Sequence, residues 1–236
     1  MIPISDNLFI STRKKPIIIY WLIGINILLF VWELKLEISG ELGLFINNWG
    51  LIPAQIHGAI ANLLAGNSAA EIFLLSRSLS LLTAMFLHGS FSQILGNLLF
   101  LWVFGRNLEN ILGHGRFLAF YLMCGILTGI IQILADPNLT IPLIGANGAI
   151  ASVLGAYIFK FPKVKIDTVM PLLIIFIPMQ VPAIFYTIWW FVQQLFYGIG
   201  SLNIPGGVNP LNSINYWAQI AGFIMGITTM RQLQKR

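Results

Sequence analysis

Gly145-Ala146-Asn147-Gly148-Ala149-Ile150-Ala151-Ser152-Val153-Leu154-Gly155-Ala156-Tyr157 reads as a helix built largely from small residues inside a chain that is otherwise bulky and apolar. Lipid tails are as apolar as Leu, so helices in a bilayer associate by close packing, and Gly148, Ser152 and Gly155 fall at helical spacing along one face. That face predicts a central seat in a bundle. A polar group in hydrocarbon is costly without a partner, which makes Asn147, at the start of this helix, either a structural hydrogen-bonding group or part of a site.

Composition puts the bundle in a membrane. Of 236 residues, 57% are hydrophobic and 9% charged, and the mean hydropathy of +0.84 lies outside the range of soluble domains. The chain has room for several spans of ~20 residues and no linker long enough to separate two domains, so one compact bundle is expected. The formal charge of +5 is dispersed between apolar runs, which fits basic membrane flanks and argues against nucleic acid as a partner. The single Cys124 excludes an intramolecular disulfide and reads as a buried small hydrophobe. The apolar run after Lys15 is too long for a signal peptide and lacks a small-residue cleavage site, so it is expected to stay as an anchor. Neither a cofactor nor a metal is expected.

Residues 1–15 form a basic N-terminal segment ending in Arg13, Lys14 and Lys15, residues 16–230 the membrane domain, and residues 231–236 a basic tail. Spans are predicted at about Pro16–Leu34, Leu81–Phe104, Phe117–Ala135, the small-residue helix closing at Lys160, Pro182–Tyr197 and Asn215–Met230. The first loop, about 35–80, carries a moderately apolar stretch from Ala54 to Leu75 that reads as interfacial. From Thr168 to Tyr197 the apolar run is too long for one straight helix and is broken by Pro171, Pro178 and Pro182, predicting a re-entrant or interfacial piece before the fifth span. The expected fold is an all-α bundle of six spans. With both termini inside, the inner segments hold Arg13, Lys14, Lys15, Arg106, Arg116, Lys160, Lys163, Lys165, Arg231, Lys235 and Arg236, and the outer ones only Lys35 and Arg77, as the positive-inside rule requires. A bacterial-type inner membrane is the default expectation from that topology.

In this topology the second, fourth and sixth spans start at one face. His88, Gln93 and Asn97 then occupy the outer to middle part of the second, Asn147 the start of the fourth, and Gln219 a position about one turn into the sixth. One outward-facing pocket can collect them. Gly222 and Gly226 form a small-xxx-small face able to dock on Gly148 and Gly155, which would bring Asn147 and Gln219 together. Plainer readings stand beside these. His88 serves equally as a loop anchor, Gln93 and Asn97 as interhelical hydrogen-bonding groups, and Arg106 with Glu109 as a local ion pair. Trp189, Trp190 and Tyr197 fit an interfacial aromatic belt.

From Leu81 to Met230 the sequence resembles the rhomboid intramembrane serine proteases. The likeness rests on Leu82-Thr83-Ala84-Met85-Phe86-Leu87-His88-Gly89 with Gly96-Asn97-Leu98-Leu99-Phe100-Leu101-Trp102, on Gly113-His114-Gly115-Arg116-Phe117, on Gly145-Ala146-Asn147-Gly148-Ala149-Ile150, and on Tyr216-Trp217-Ala218-Gln219-Ile220-Ala221-Gly222-Phe223. The resemblance implies a six-helix core in which a Ser of the fourth helix attacks a peptide bond and a His of the sixth takes its proton. Asn147 stands where the family's Gly-x-Ser-Gly nucleophile belongs, and Gln219 where its base belongs; Gln93 replaces a second His, while His88 and Asn97 match. The departures fall on the chemistry and spare the scaffold.

A primary amide supplies neither an ionisable oxygen nor a basic nitrogen, so Asn147 cannot form an acyl-enzyme and Gln219 cannot hold a proton near neutral pH. In subtilisin, loss of Ser or His alone costs on the order of a million-fold in kcat, and losing both costs little more. An Asn147 to Gln219 hydrogen bond of roughly 0.6–2 kcal/mol is the expected replacement for the Ser-His bond. Ser152 lies roughly 140° around the helix from Asn147 and does not face the same point. His57 and His114 fall in loops away from the site. The leading expectation is a catalytically silent rhomboid homologue that binds transmembrane segments of membrane clients. Residual hydrolysis through His88 and water is the alternative. A small transporter is a third reading, opposed by the lack of charged residues in the middle of any predicted span.

Overall fold

The computed structural model describes residues 1–8, 15–172, 175–200 and 213–233. Arg13, Lys14, residues 201–212, Lys235, Arg236 and the side chain of Tyr197 lie outside the described residues.

A short strand, β1 (Ile2–Asp6), precedes α1 (Ile17–Ser39). The first loop is helical throughout most of its length, as α2 (Leu42–Trp49), α3 (Pro53–Leu64), α4 (Ala69–Ser78), α5 (Ser80–Thr83) and a 3-10 turn (Ala84–Phe86). After a break at residues 87–90 comes one rod made of α6 (Phe91–Phe100), a π-helical turn (Leu101–Gly105) and α7 (Arg106–Leu112). Then follow α8 (His114–Ala135), α9 (Asn147–Lys160), a hairpin of β2 (Lys165–Leu172) and β3 (Ile175–Pro182), α10 (Ala183–Gly200) and α11 (Ser213–Leu233). Three described segments are long and apolar enough to cross a membrane: Ile17–Ser39, Ala69–Phe86 and His114–Ala135.

Three expectations change. The fold is mostly helical rather than all-α: β1, β2 and β3 form an antiparallel sheet in that order, and the proline-broken stretch expected to be a re-entrant or interfacial piece is its hairpin. Pro178 and Pro182 sit in β3, an edge strand, where a missing N–H need break no ladder bond, and Pro171 lies in β2 beyond the last residue that pairs with β1, Val169. The stretch taken as interfacial divides into α3 and α4, and Ala69–Phe86 has the length and hydropathy of a span. Finally, the second predicted span begins about ten residues later than expected, at Phe91, because Ser90 caps α6 by accepting the Gln93 N–H at 3.2 Å. His88 therefore lies in the break and not on a helix.

α9 sits at the centre. Every residue from Gly148 to Tyr157 is buried, as the small side chains require. Its packing against α11 is the most extensive helix contact among the described residues. A Cβ at Gly222 would overlap the Gly148 carbonyl, one at Gly226 the Ser152 carbonyl, and one at Gly155 the Phe223 carbonyl. The fully buried Ser152 hydroxyl lies 2.9 Å from the Gly148 carbonyl and 2.8 Å from that of Gly222, so its one proton serves both helices. On the other side Gly148 leaves room for Thr128 of α8.

Two buried carboxylates tie the far end of the bundle. Glu109, expected to pair with Arg106, instead accepts the Ile18 and Ile19 N–H groups at 2.8 and 2.9 Å, capping the first turn of α1, and also meets His114 Nδ1 at 2.5 Å. Unpaired N–H groups at a helix start are the stronger claim on a buried carboxylate. Arg106 turns to Asp6 of β1 at 4.0 Å and lies over the Trp102 ring. Asp6 also accepts from Tyr157 at 2.6 Å and from Asn107. The N-terminal strand is thereby pinned to α7 and α9.

Candidate functional site

The chain enters α9 through Gly145, whose φ of +107° lies in the left-handed region and whose missing Cβ leaves room for the Gln93 amide. Its N–H donates to the Ala84 carbonyl at 2.8 Å, fixing the start of α9 against the 3-10 turn. Gln93, in the first turn of α6, accepts the Gly89 N–H at 2.9 Å and donates to the Ile144 carbonyl at 3.1 Å. It joins the break at residues 87–90 to the segment that precedes α9.

His88 is held on every side. Its backbone N–H lies 3.1 and 3.2 Å from the two carboxylate oxygens of Glu33, a residue of α1 that is only 2% exposed. The Asn97 amide nitrogen can only donate, so His88 Nε2 accepts from it at 3.1 Å. The ring proton then sits on Nδ1, 3.3 Å from the Phe86 carbonyl. The Nε2 lone pair, the one that a general base would use, is already taken.

Gln93, Asn97, Asn147 and Gln219 line one cavity of about 200 Å³, together with Ser92, Gly96, Phe100, Ile150 and Trp190. α6, α9 and α11 thus contribute four carboxamides to a single space, and His88 stands behind Asn97, outside the lining. Asn147 and Gln219 share the cavity without a hydrogen bond between them, so the direct bond expected from the sequence is absent. Asn147 stands between two spaces, lining also a second cavity on the α8 side with Gly125, Thr128 and Gln132, whereas Gln219 lines only the first of the two.

Trp190, which by sequence fits an interfacial belt, has a further role. It closes one side of the cavity, packing on Phe100 and Phe223 with ring centroids 6.3 and 6.0 Å apart, whereas Trp189 is 47% exposed. Sequence reading also missed Ser92, whose hydroxyl lies 3.1 Å from that of Ser90, and Phe100. It missed Glu33 as well, although an ionisable residue inside an apolar run was the available signal. The cavity wall offers amide donors and acceptors, one hydroxyl and apolar rings. It contains no imidazole, carboxylate or amine to take a proton from Ser92 or from water. Among the described residues no three His, Cys, Asp or Glu side chains converge on a possible metal position.

A bundle with a small-residue central helix and a polar cavity at the start of that helix defines an integral membrane protein with an embedded site. Residues 76–236 match the family model for the Rhomboid domain, and the chain belongs to the rhomboid family. It is 26% identical over 224 residues to the Saccharomyces cerevisiae protein named Rhomboid protein 1, mitochondrial, covering 93% of this chain and 54% of that one. It is 34% identical over 101 residues to the human Presenilin-associated rhomboid-like protein, mitochondrial, covering 42% and 25% of the two chains. With the Bacillus subtilis Rhomboid protease GluP it shares 39% identity over 79 residues, 34% of this chain and 15% of that one. The chain spans about half the length of the yeast relative and a quarter or less of the other two.

Proposed function

We propose that this protein is a catalytically silent rhomboid homologue that holds transmembrane segments of membrane-protein clients without cutting them. The observation that carries the reading is the cavity lined by Gln93, Asn97, Asn147 and Gln219: four groups that donate and accept hydrogen bonds, none able to attack a carbonyl or hold a proton. α9, at 14 residues, is ~21 Å long, shorter than the ~30 Å hydrocarbon core. With Lys160 exposed at its other end, the Asn147 end is the one that stops inside the bilayer. A client backbone exposed at that depth gains from amide partners because lipid offers none. Six spans with both termini on the basic side complete the proposal, with Ala69–Phe86, a span by length and hydropathy alone, left at the interface; the distribution of Lys and Arg supports it. With relatives named as mitochondrial beside one from Bacillus subtilis, the comparisons give no support to a bacterial-type inner membrane in particular.

Hydrolysis through His88 lacks support, since its Nε2 accepts from Asn97 and the ring lies outside the cavity. The wild type is expected to show no cleavage of rhomboid substrates and no labelling by serine-directed fluorophosphonates. The double variant Asn147→Ser with Gln219→His is expected to label, because the scaffold around both positions is retained. Labelling of the wild type that disappears in Asn147→Ala overturns the proposal, and a folded double variant that stays unlabelled shows that the cavity lacks catalytic geometry.

A further inference from the structure

Between Pro16 and Gly105 the chain has only two Lys or Arg side chains, Lys35 and Arg77. They stand 42 positions apart in sequence, yet the fold sets Lys35 over Trp32, in the wall of an apolar groove, and Arg77 in a cavity that shares Trp49 and Thr83 with that groove. The groove, about 730 Å³, lies between Ile25, Leu29 and Trp32, one stripe of α1, and Phe45 and Trp49, one stripe of α2, with Thr83 and the 3-10 turn behind. It has no polar lining surface, and a volume of this size accommodates a drug-sized molecule and hence an acyl chain.

The two rims are charged in the same sense. Lys35 Nζ sits 4.9 Å from the centroid of the Trp32 ring. On the other side, a second cavity of about 330 Å³ meets the groove at Trp49 and Thr83 and is lined by Arg77, Ser76, Ser80 and Asn48. Arg77 is fixed there, its Nη1 donating to the Asn47 and Asn48 carbonyls at 3.1 and 3.0 Å. That leaves the N–H groups of Nε and Nη2 for an anion. Thr83 holds the Trp49 carbonyl at 2.6 Å, so the wall shared by the two cavities is built and not incidental. Neither lining includes an acidic residue. An apolar trough edged by Trp rings with cations at its rim matches a molecule with a long hydrocarbon chain and an anionic head.

We propose that the groove between α1 and α2 is a binding site for an anionic phospholipid, with an acyl chain along Ile25, Leu29 and Phe45 and the phosphate at Arg77 and Lys35. The site is separate from the carboxamide cavity and stands or falls independently of the function proposed for it.

The test uses the full chain in detergent, offered equimolar dioleoyl phosphatidylglycerol and dioleoyl phosphatidylcholine, with retained lipid read by native mass spectrometry. The wild type is expected to retain phosphatidylglycerol preferentially. Arg77→Gln and Lys35→Gln should each lower that preference about fivefold, as expected for a single cation at a lipid headgroup. Leu29→Trp, which fills the trough, should lower retention of both lipids. Phosphatidylglycerol with brominated chains supplies a reading that needs no filled variant: it should quench the wild type more than a chain carrying Trp32→Phe and Trp49→Phe. Undiminished preference in the two Gln variants, equal quenching with and without the two Trp residues, displacement by inorganic phosphate alone, or occupancy by a transmembrane peptide that lipid does not compete away would each overturn the assignment.

Discussion

α10 and α11 both wall the cavity at the start of α9, and they are held by different physics. α11 meets α9 backbone to backbone: Gly222 lies on the Gly148 carbonyl, Gly226 on that of Ser152, and Ser152 bonds across the seam. α10 is tied at its first turn, where the Ala183 and Ile184 N–H groups donate to the Val164 and Pro162 carbonyls at 2.7 and 3.2 Å. Beyond that turn its cavity side rests on rings: Tyr186 against Phe100 and Phe104, Trp190 against Phe100 and Phe223, and Phe191 against Phe223. Backbone contact has no slack, whereas tilted rings slide at small cost. Asn147 and Gln219 therefore ride on the pair that cannot separate, and Trp190 on the wall that yields first.

Three substitutions test that contrast, beginning with the largest effect. Gly226→Leu forces a side chain into the Ser152 carbonyl, and overpacking of this kind costs about 3 kcal/mol or more. It should abolish the monodisperse folded protein in size-exclusion chromatography. Ser152→Ala keeps the close approach and loses only the shared hydroxyl, with an expected cost of about 1 kcal/mol, read as a lower thermal unfolding midpoint. Trp190→Ala, at a half-buried ring, should cost less than about 1 kcal/mol in stability. It should nevertheless raise the rate at which a maleimide modifies an Asn147→Cys chain, the native Cys124 being buried. If Trp190→Ala unfolds the protein as Gly226→Leu does, α10 is as fixed as α11 and the contrast fails.

The parts legible beforehand are those written in local spacing. The seam of Gly148, Ser152, Gly222 and Gly226 follows from a four-residue period, and the shared depth of Gln93, Asn97, Asn147 and Gln219 follows from three helices starting at one face. What escaped were contacts between residues far apart in the chain. Glu33 and His88 are 55 positions apart, Glu109 and Ile18 are 91, and Asp6 and Tyr157 are 151. Nothing in their neighbourhoods marks them as partners. Trp190 shows the same limit, since its ring suits a membrane interface and a cavity wall equally well until its neighbours are known.

By itself the sequence determined that this chain lives in a bilayer, that its small-residue helix must be central, and that positions 147 and 219 carry carboxamides, Asn147 and Gln219. These follow from hydropathy, side-chain size and the chemistry of single residues, all of which are local properties. Only the tertiary structure decided that the N-terminal strand joins the β2–β3 hairpin and that Glu109 caps α1. It also decided that His88 is spent on Asn97 and that Asn147 and Gln219 face a common space without bonding. Those outcomes depend on which buried polar groups find one another, and burial makes an unmatched donor or acceptor too costly to leave to chance.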